Sequence, residues 1–314
     1  MGTLPLWIGF HLLVLTLLAL DLGVFRRRAR EISAGEAAVA SAIWVLLALA
    51  FNAGIFFRMG AQHGLDFFTG YLIEYALSAD NIFVIAVIFR YFHVPPESQH
   101  RVLTWGILGA LVMRGTLVAA GAALLARFSW TLFLLGAFVL YTGIHMFFQR
   151  PENLNPEKNS VLRLGRKIFP LAAGYRASRF FVRESGRWLA TPLLLVLLAV
   201  EATDAVFAFD SIPAIFAITR NPFVVYTSNV FAVLGLRALY FLLAGLLPRF
   251  RHLSRGLAAV LVFIGVKMLA DKWMPVSTEL SLLVVAAILA LSVLASLRGA
   301  GTAANLPGGN GAER

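Results

Sequence analysis

The chain contains no cysteine. That absence excludes disulfides, thiolate metal sites and cysteine-held iron–sulfur clusters. Charge is scarce as well. Only 14% of the 314 residues are Asp, Glu, Lys or Arg, whereas 60% are hydrophobic. A soluble protein of this length cannot hide so much apolar surface, so the composition specifies a polytopic membrane protein. Acids are scarcer than bases, 16 against 27, and the formal charge is +11. The bases fall between apolar runs, as in cytoplasmic loops, so the lipid bilayer rather than nucleic acid is the expected partner. Paired haem histidines and a dinucleotide-binding glycine pattern are also missing. The sequence therefore offers no visible redox chemistry and predicts no resident cofactor.

What is present is a series of apolar runs. Nine can be drawn, at about 5–25, 37–57, 66–90, 102–126, 130–148, 189–217, 222–247, 256–274 and 278–298, each near the length that crosses ~30 Å of hydrocarbon. The first continues through Asp21 into RRRAR without a small-residue cleavage site and reads as a retained helix. Asp21 at its end reads as a simple interfacial acid. With the N-terminus outside, twenty Lys and Arg fall on the inner side and four on the outer. That bias predicts an outside N-terminus and a cytoplasmic C-terminus. The transmembrane domain spans 1–299, interrupted by one sizeable loop, 149–188. This loop reads either as an interfacial amphipathic segment on anionic lipid or as a solvated linker. The Gly- and Asn-rich tail, 300–314, reads as disordered.

Segments 66–148 and 189–274 resemble one another at an offset of about 122–124 residues. The match sets Asp80 against Asp204, Arg114 against Arg237, Gly143 against Gly265 and His145 against Lys267. Each copy holds three spans, an odd number, so the second copy enters the membrane the opposite way up. Many secondary transporters have this inverted repeat, with the substrate site near the midplane where the copies meet. The fold class expected is an all-α polytopic membrane protein of about nine helices with an inverted three-helix repeat.

Carboxylates inside the apolar runs mark function, because each costs several kcal/mol to bury unpaired. The first copy carries Glu74 and Asp80, with Ser78 and Asn81 beside them. The second carries Glu201, Asp204, Asp210 and Ser211. Pro213 lacks an N–H and disfavours a straight helix around Phe209 and Asp210. One compact site using all five acids requires unwinding, at DSIP and SADN. Without a break, the acids form two or more stations along a path. Arg114, Arg237 and Lys267 are the bases within spans and read as counter-ions or coupling groups. Five acids against three bases leave two negative charges, which one divalent cation or protons would neutralise. Carboxylate, amide and hydroxyl oxygens favour a hard cation such as Mn²⁺, Mg²⁺ or Ca²⁺.

The stretches EYALSADNIFVIAVIF and VEATDAVFAFDSIPAIFAIT, together with FIGVKML, resemble the signatures of the TerC family. These are integral membrane proteins named from tellurium resistance, with an Alx-like branch linked to manganese export. The resemblance covers about residues 6–299, and DSIPAIFAIT is its most specific part. It implies that Glu74, Asp80, Asn81, Glu201, Asp204 and Asp210 occupy the family's acidic motif positions. It also implies Mn²⁺ export across a bacterial inner membrane. Tellurite itself fits poorly, because an oxyanion would meet net negative charge. The alternatives are a non-transporting membrane stress-response factor (tellurium resistance or redox modulation) and an intramembrane aspartyl enzyme. No glycine-rich motif surrounds a candidate catalytic Asp, so a non-enzyme is expected. A homo-oligomer is compatible with the sequence.

Overall fold

The computed structural model describes residues 3–26, 33–128, 130–148, 170–172, 174–176, 178–184, 186–243, 252–271, 273–274 and 276–304. Among them are ten helices and one β-hairpin. In chain order these are α1 (Leu4–Arg26), α2 (Ala34–Met59), α3 (Ala61–Tyr91), α4 (Pro96–Arg127), α5 (Thr131–Phe148), β1 (Phe181–Glu184), β2 (Arg187–Ala190), α6 (Pro192–Phe216), α7 (Pro222–Leu234), α8 (Leu236–Leu243), α9 (Leu253–Ala270) and α10 (Thr278–Ala304). Eight helices among the described residues are long and apolar enough to cross a membrane, and α7 with α8, bent by 41° at their junction, make a ninth if the pair crosses as one span. The all-α polytopic reading therefore holds, with eight such helices and the bent pair as the ninth candidate. The tail is helical as far as Ala304, further than expected, and 305–314 lie outside the described residues.

Local chemistry sets several boundaries. Ser33 and Glu36 cap α2 reciprocally, each side chain bonded to the other's backbone N–H. One residue, Gly60, separates α2 from α3. Its φ of +100° is a conformation that side-chain-bearing residues rarely adopt, and it lets the two helices fold back on each other. Pro192 and Pro222 begin α6 and α7, where the missing N–H costs nothing.

The expected weak point at Pro213 is corrected here, and of the two arrangements left open the unbroken one is found. Helix α3 runs unbroken through SADN, and α6 runs unbroken through DSIP to Phe216. Pro213 is tolerated because it lies within a turn of the helix end. Only the Phe209 carbonyl loses its donor, and the Ala217 N–H already closes the last turn on Pro213 O at 3.1 Å. The interruption falls elsewhere, at Gly235 between α7 and α8.

The two halves interlock. Helix α3 packs against α7 and α6, and α4 packs against α6 and α7. Helices α3 and α6 run antiparallel: Gly70 meets Ile215, and eleven residues on, Asn81 meets Asp204, eleven residues back. The third members, α5 and α9, also cross antiparallel and at backbone contact. A Cβ on Gly143 would lie 2.7 Å from the Val262 nitrogen, and one on Gly265 would lie 2.6 Å from the Leu140 nitrogen. The paired glycines face each other's helix, as a two-fold axis across the bundle requires. Outside the repeats, α1 rests on α7, α2 on α3 and α8, and α10 on α9 and α3.

The loop between the halves contains structure that neither sequence reading foresaw. Strands β1 and β2 pair antiparallel, with Phe181 opposite Ala190, around a turn in which Gly186 has φ +79°. Before the hairpin, the Tyr175 hydroxyl donates to Phe92 O at 2.7 Å, and Ser178 Oγ lies 3.2 Å from Ser98 Oγ. Arg101 stacks over Phe180, 5.3 Å from the ring centroid. The loop is thus pinned to the α3–α4 turn. Residues 149–169, where part of the lipid-facing reading fell, lie outside the described residues.

Candidate functional site

Arg114 of α4 is the centre of the ionic core. It is fully buried. Its Nη2 donates to Asp204 Oδ1 at 2.9 Å and its Nε to Asp204 Oδ2 at 3.2 Å, a fork matched to the carboxylate of α6. Its Nη1 pairs with Glu74 Oε1 of α3 and donates to Asn229 Oδ1 of α7 at 2.9 Å. Four helices, two from each repeat, therefore meet at one guanidinium. Burying charge on this scale requires such pairing, because an unpaired ion in the interior costs several kcal/mol.

Beside this cluster lies a row of oxygens without donors. Glu74 Oε2, Ser78 Oγ, Asn81 Oδ1 and Ser211 Oγ are all buried and unpartnered. Glu74, Ser78 and Asn81 follow one another at helical spacing on α3. Asn81 Nδ2 reaches towards Asp204 Oδ1 at 3.5 Å. On α6, Ser211 is two turns past Asp204 on the same face. The antiparallel register of α3 and α6 sets Ser211 level with Glu74. The four oxygens thus line the seam where the repeats touch. Most buried polar atoms find a partner, so four orphans on one seam call for an explanation.

Glu201 lies one turn before Asp204, and its carboxylate rests on Gly109 of α4, where any Cβ would collide with it. No base pairs with Glu201 among the described residues. With all three carboxylates ionised, Glu74, Asp204 and Glu201 against Arg114 carry a formal excess of two negative charges.

The other expected site residues lie elsewhere. Asp80 accepts from Ser254 Oγ of α9 at 2.5 Å. Asp210 lies against Thr142 of α5. Arg237 pairs with Asp21 of α1 and approaches His100 at 3.1 Å and Thr104 at 3.4 Å. Lys267 donates to Ser281 of α10 at 2.8 Å. Among the described residues, no three acids or histidines gather at metal-ligand spacing. The five acids are spread along the bundle rather than gathered at one point, because both helices that carry them stay intact.

The reading of Asp21 as a simple interfacial acid is corrected. Its side chain is 12% exposed and paired with Arg237. Sequence reasoning also missed Asp66, which is 5% exposed and accepts from Gln62 at 3.0 Å and Thr278 at 3.2 Å. Asp21 and Asp66 raise the acids to seven against three bases, an excess of four. Asn229 was missed too, although the polar run Thr227–Ser228–Asn229 inside an apolar span was a visible signal. Near Lys267, a cavity of about 310 Å³ opens among Gln62, Arg220, Asp271, Thr278 and Glu279.

A bundle of eight or nine membrane-length helices, with ion pairs buried between its two halves, is a multi-pass integral membrane protein. The sequence matches the TerC family of integral membrane proteins over residues 59–302, and the chain belongs to that family. It is 50% identical over 296 residues to the uncharacterized membrane protein STKORF319 of Myxococcus xanthus, covering 94% of this chain and 93% of that one. It is 44% identical over 302 residues to Alx of Escherichia coli K12, named as a candidate membrane-bound redox modulator, covering 93% and 94% respectively. A membrane protein of Rickettsia bellii is 36% identical over 291 residues, covering 93% of this chain and 96% of its own length. No solved structure matches the chain.

Proposed function

We propose that the protein is a secondary transporter that exports a divalent metal cation, Mn²⁺ foremost, in exchange for protons. The observation that carries this reading is the row of unpartnered buried oxygens on the α3–α6 seam, set among acids that outnumber bases. A carboxylate, an amide carbonyl and two hydroxyls suit a hard cation with oxygen preference. Glu74 and Asn81 would be ligands, Ser78 and Ser211 neutral donors of lone pairs, and Glu201 and Asp204 the flanking negative charge. Asp80 and Asp210 would serve as further stations on either side. The antiparallel repeat meeting at this seam is the arrangement through which alternating access works. The loop charges favour a bacterial inner-membrane placement with the N-terminus outside and the C-terminus cytoplasmic.

Redox modulation, the role in the name carried by Alx, is the second reading. With no cysteine, this chain would have no thiol chemistry of its own to contribute. We assign it no enzymatic step. Cellular metal content separates the readings. Cells expressing the protein are expected to hold less manganese than controls, and Glu74→Gln to erase the difference. Equal manganese in all three would remove transport and leave the redox reading standing.

A further inference from the structure

We propose that Arg114 competes with the transported cation for shared carboxylates: it holds Glu74 and Asp204 when no metal is there, and a metal seated beside it loosens that hold. This rests on the transport reading above.

Three observations carry it. First, Arg114 spends its donors on groups of both repeats, Asp204 and Asn229 in one and Glu74 in the other. Second, it takes only one oxygen of Glu74. The second oxygen stays buried and unpartnered, as do Ser78 Oγ, Asn81 Oδ1 and Ser211 Oγ next along the seam. A cation seated on those oxygens would share Glu74 with the guanidinium at short range, and like charges in a poorly screened interior repel strongly. Third, Glu201 sits beside Asp204 with no base of its own among the described residues, so the cluster is left two charges short of neutrality. A guanidinium alone does not neutralise it, whereas a guanidinium with one divalent cation does.

The consequence is a reciprocal coupling. Metal weakens the hold of Arg114 on Glu74 and Asp204, and Arg114 weakens the hold on metal by the same factor. Binding to the empty site is thereby kept loose enough for release, as conduction and exchange both demand. A purely structural arginine would act the other way. Its removal would leave unpaired acids, disorder the seam and weaken metal binding.

The test uses the purified full-length chain, with Mn²⁺ alone as probe and free Mn²⁺ read by electron paramagnetic resonance. Wild type, Glu74→Gln, Arg114→Gln, Asp204→Asn and the double variant Arg114→Gln/Asp204→Asn are compared. Arg114→Gln is expected to bind at least tenfold tighter than wild type, and Glu74→Gln at least tenfold weaker. The double variant removes both members of the forked pair and guards against misfolding of the single one. It is expected to bind tighter than Asp204→Asn. Should Arg114→Gln and the double variant bind no tighter than their parents while Glu74→Gln binds weaker, the competitor role is overturned and the transport reading survives. Absence of Mn²⁺ binding by every form overturns both.

Discussion

Arg114 with Asp204, and Arg237 with Asp80, are the same two residues copied in the repeat, yet the two copies are wired differently. In the first, the partners meet across the repeat boundary in a two-pronged bond, deep in the bundle. In the second they do not meet. Asp80 takes a hydroxyl from α9, and Arg237 turns to Asp21 on a helix outside the repeats. Where the first pair balances itself, the second is divided between a hydroxyl of α9 and a carboxylate of α1. The pair that stayed together is the one beside the unpartnered oxygens.

That contrast can be broken in graded steps. Replacing Arg114 with Met leaves Glu74 and Asp204 without their counter-ion, and the expected loss is about 3–5 kcal/mol of stability. It should register as the largest fall in thermal melting in detergent. Arg237→Met removes a pair that Asp21 shares at its less buried end, and about 2 kcal/mol is expected. If the two arginine variants melt alike, the asymmetry drawn here is wrong. Ser254→Ala deletes the single hydroxyl bond to Asp80, worth about 1 kcal/mol. Its effect on manganese content should be smaller than that of Asn81→Ala, which strips an unpartnered oxygen from the seam. The mildest change, Tyr175→Phe, loses one bond to Phe92 O. It should raise hydrogen exchange around 170–190 while leaving the melting of the bundle within about 1 kcal/mol of wild type.

Much of the bundle was legible beforehand for a simple reason. Bilayer thickness fixes span length, so eight or nine apolar helices can be read without knowing any contact. The matched order of Asp80, Arg114 and Gly143 with Asp204, Arg237 and Gly265 pointed to helices that do pack together, Gly143 and Gly265 each lying against the other's helix. The site was less legible, because a helix face tells where a side chain points and not who waits there. Glu201 and Asp204 share a face on any helix. That Gly109 would cradle the first and Arg114 the second depends on the register between α4 and α6. Asp21 looked interfacial because its partner, Arg237, lies more than two hundred residues away. Pro213 looked like a break because local rules ignore how close the helix is to its end. The hairpin, β1 with β2, was overlooked for another reason: its turn depends on the positive φ of Gly186, and the bases around it drew the reading towards a lipid surface or a linker.

The pinned loop has one mechanical consequence. It leaves α5, reaches back to the α3–α4 turn through Tyr175 and Ser178, and then feeds directly into α6, whose Thr191 holds the Arg179 carbonyl at 2.6 Å. One end of the first triplet is thereby strapped to the entry of the second. If the triplets tilt against each other, this edge is the fulcrum, and the wide swing belongs to the far edge, where Lys267 and Asp66 line up beneath α10.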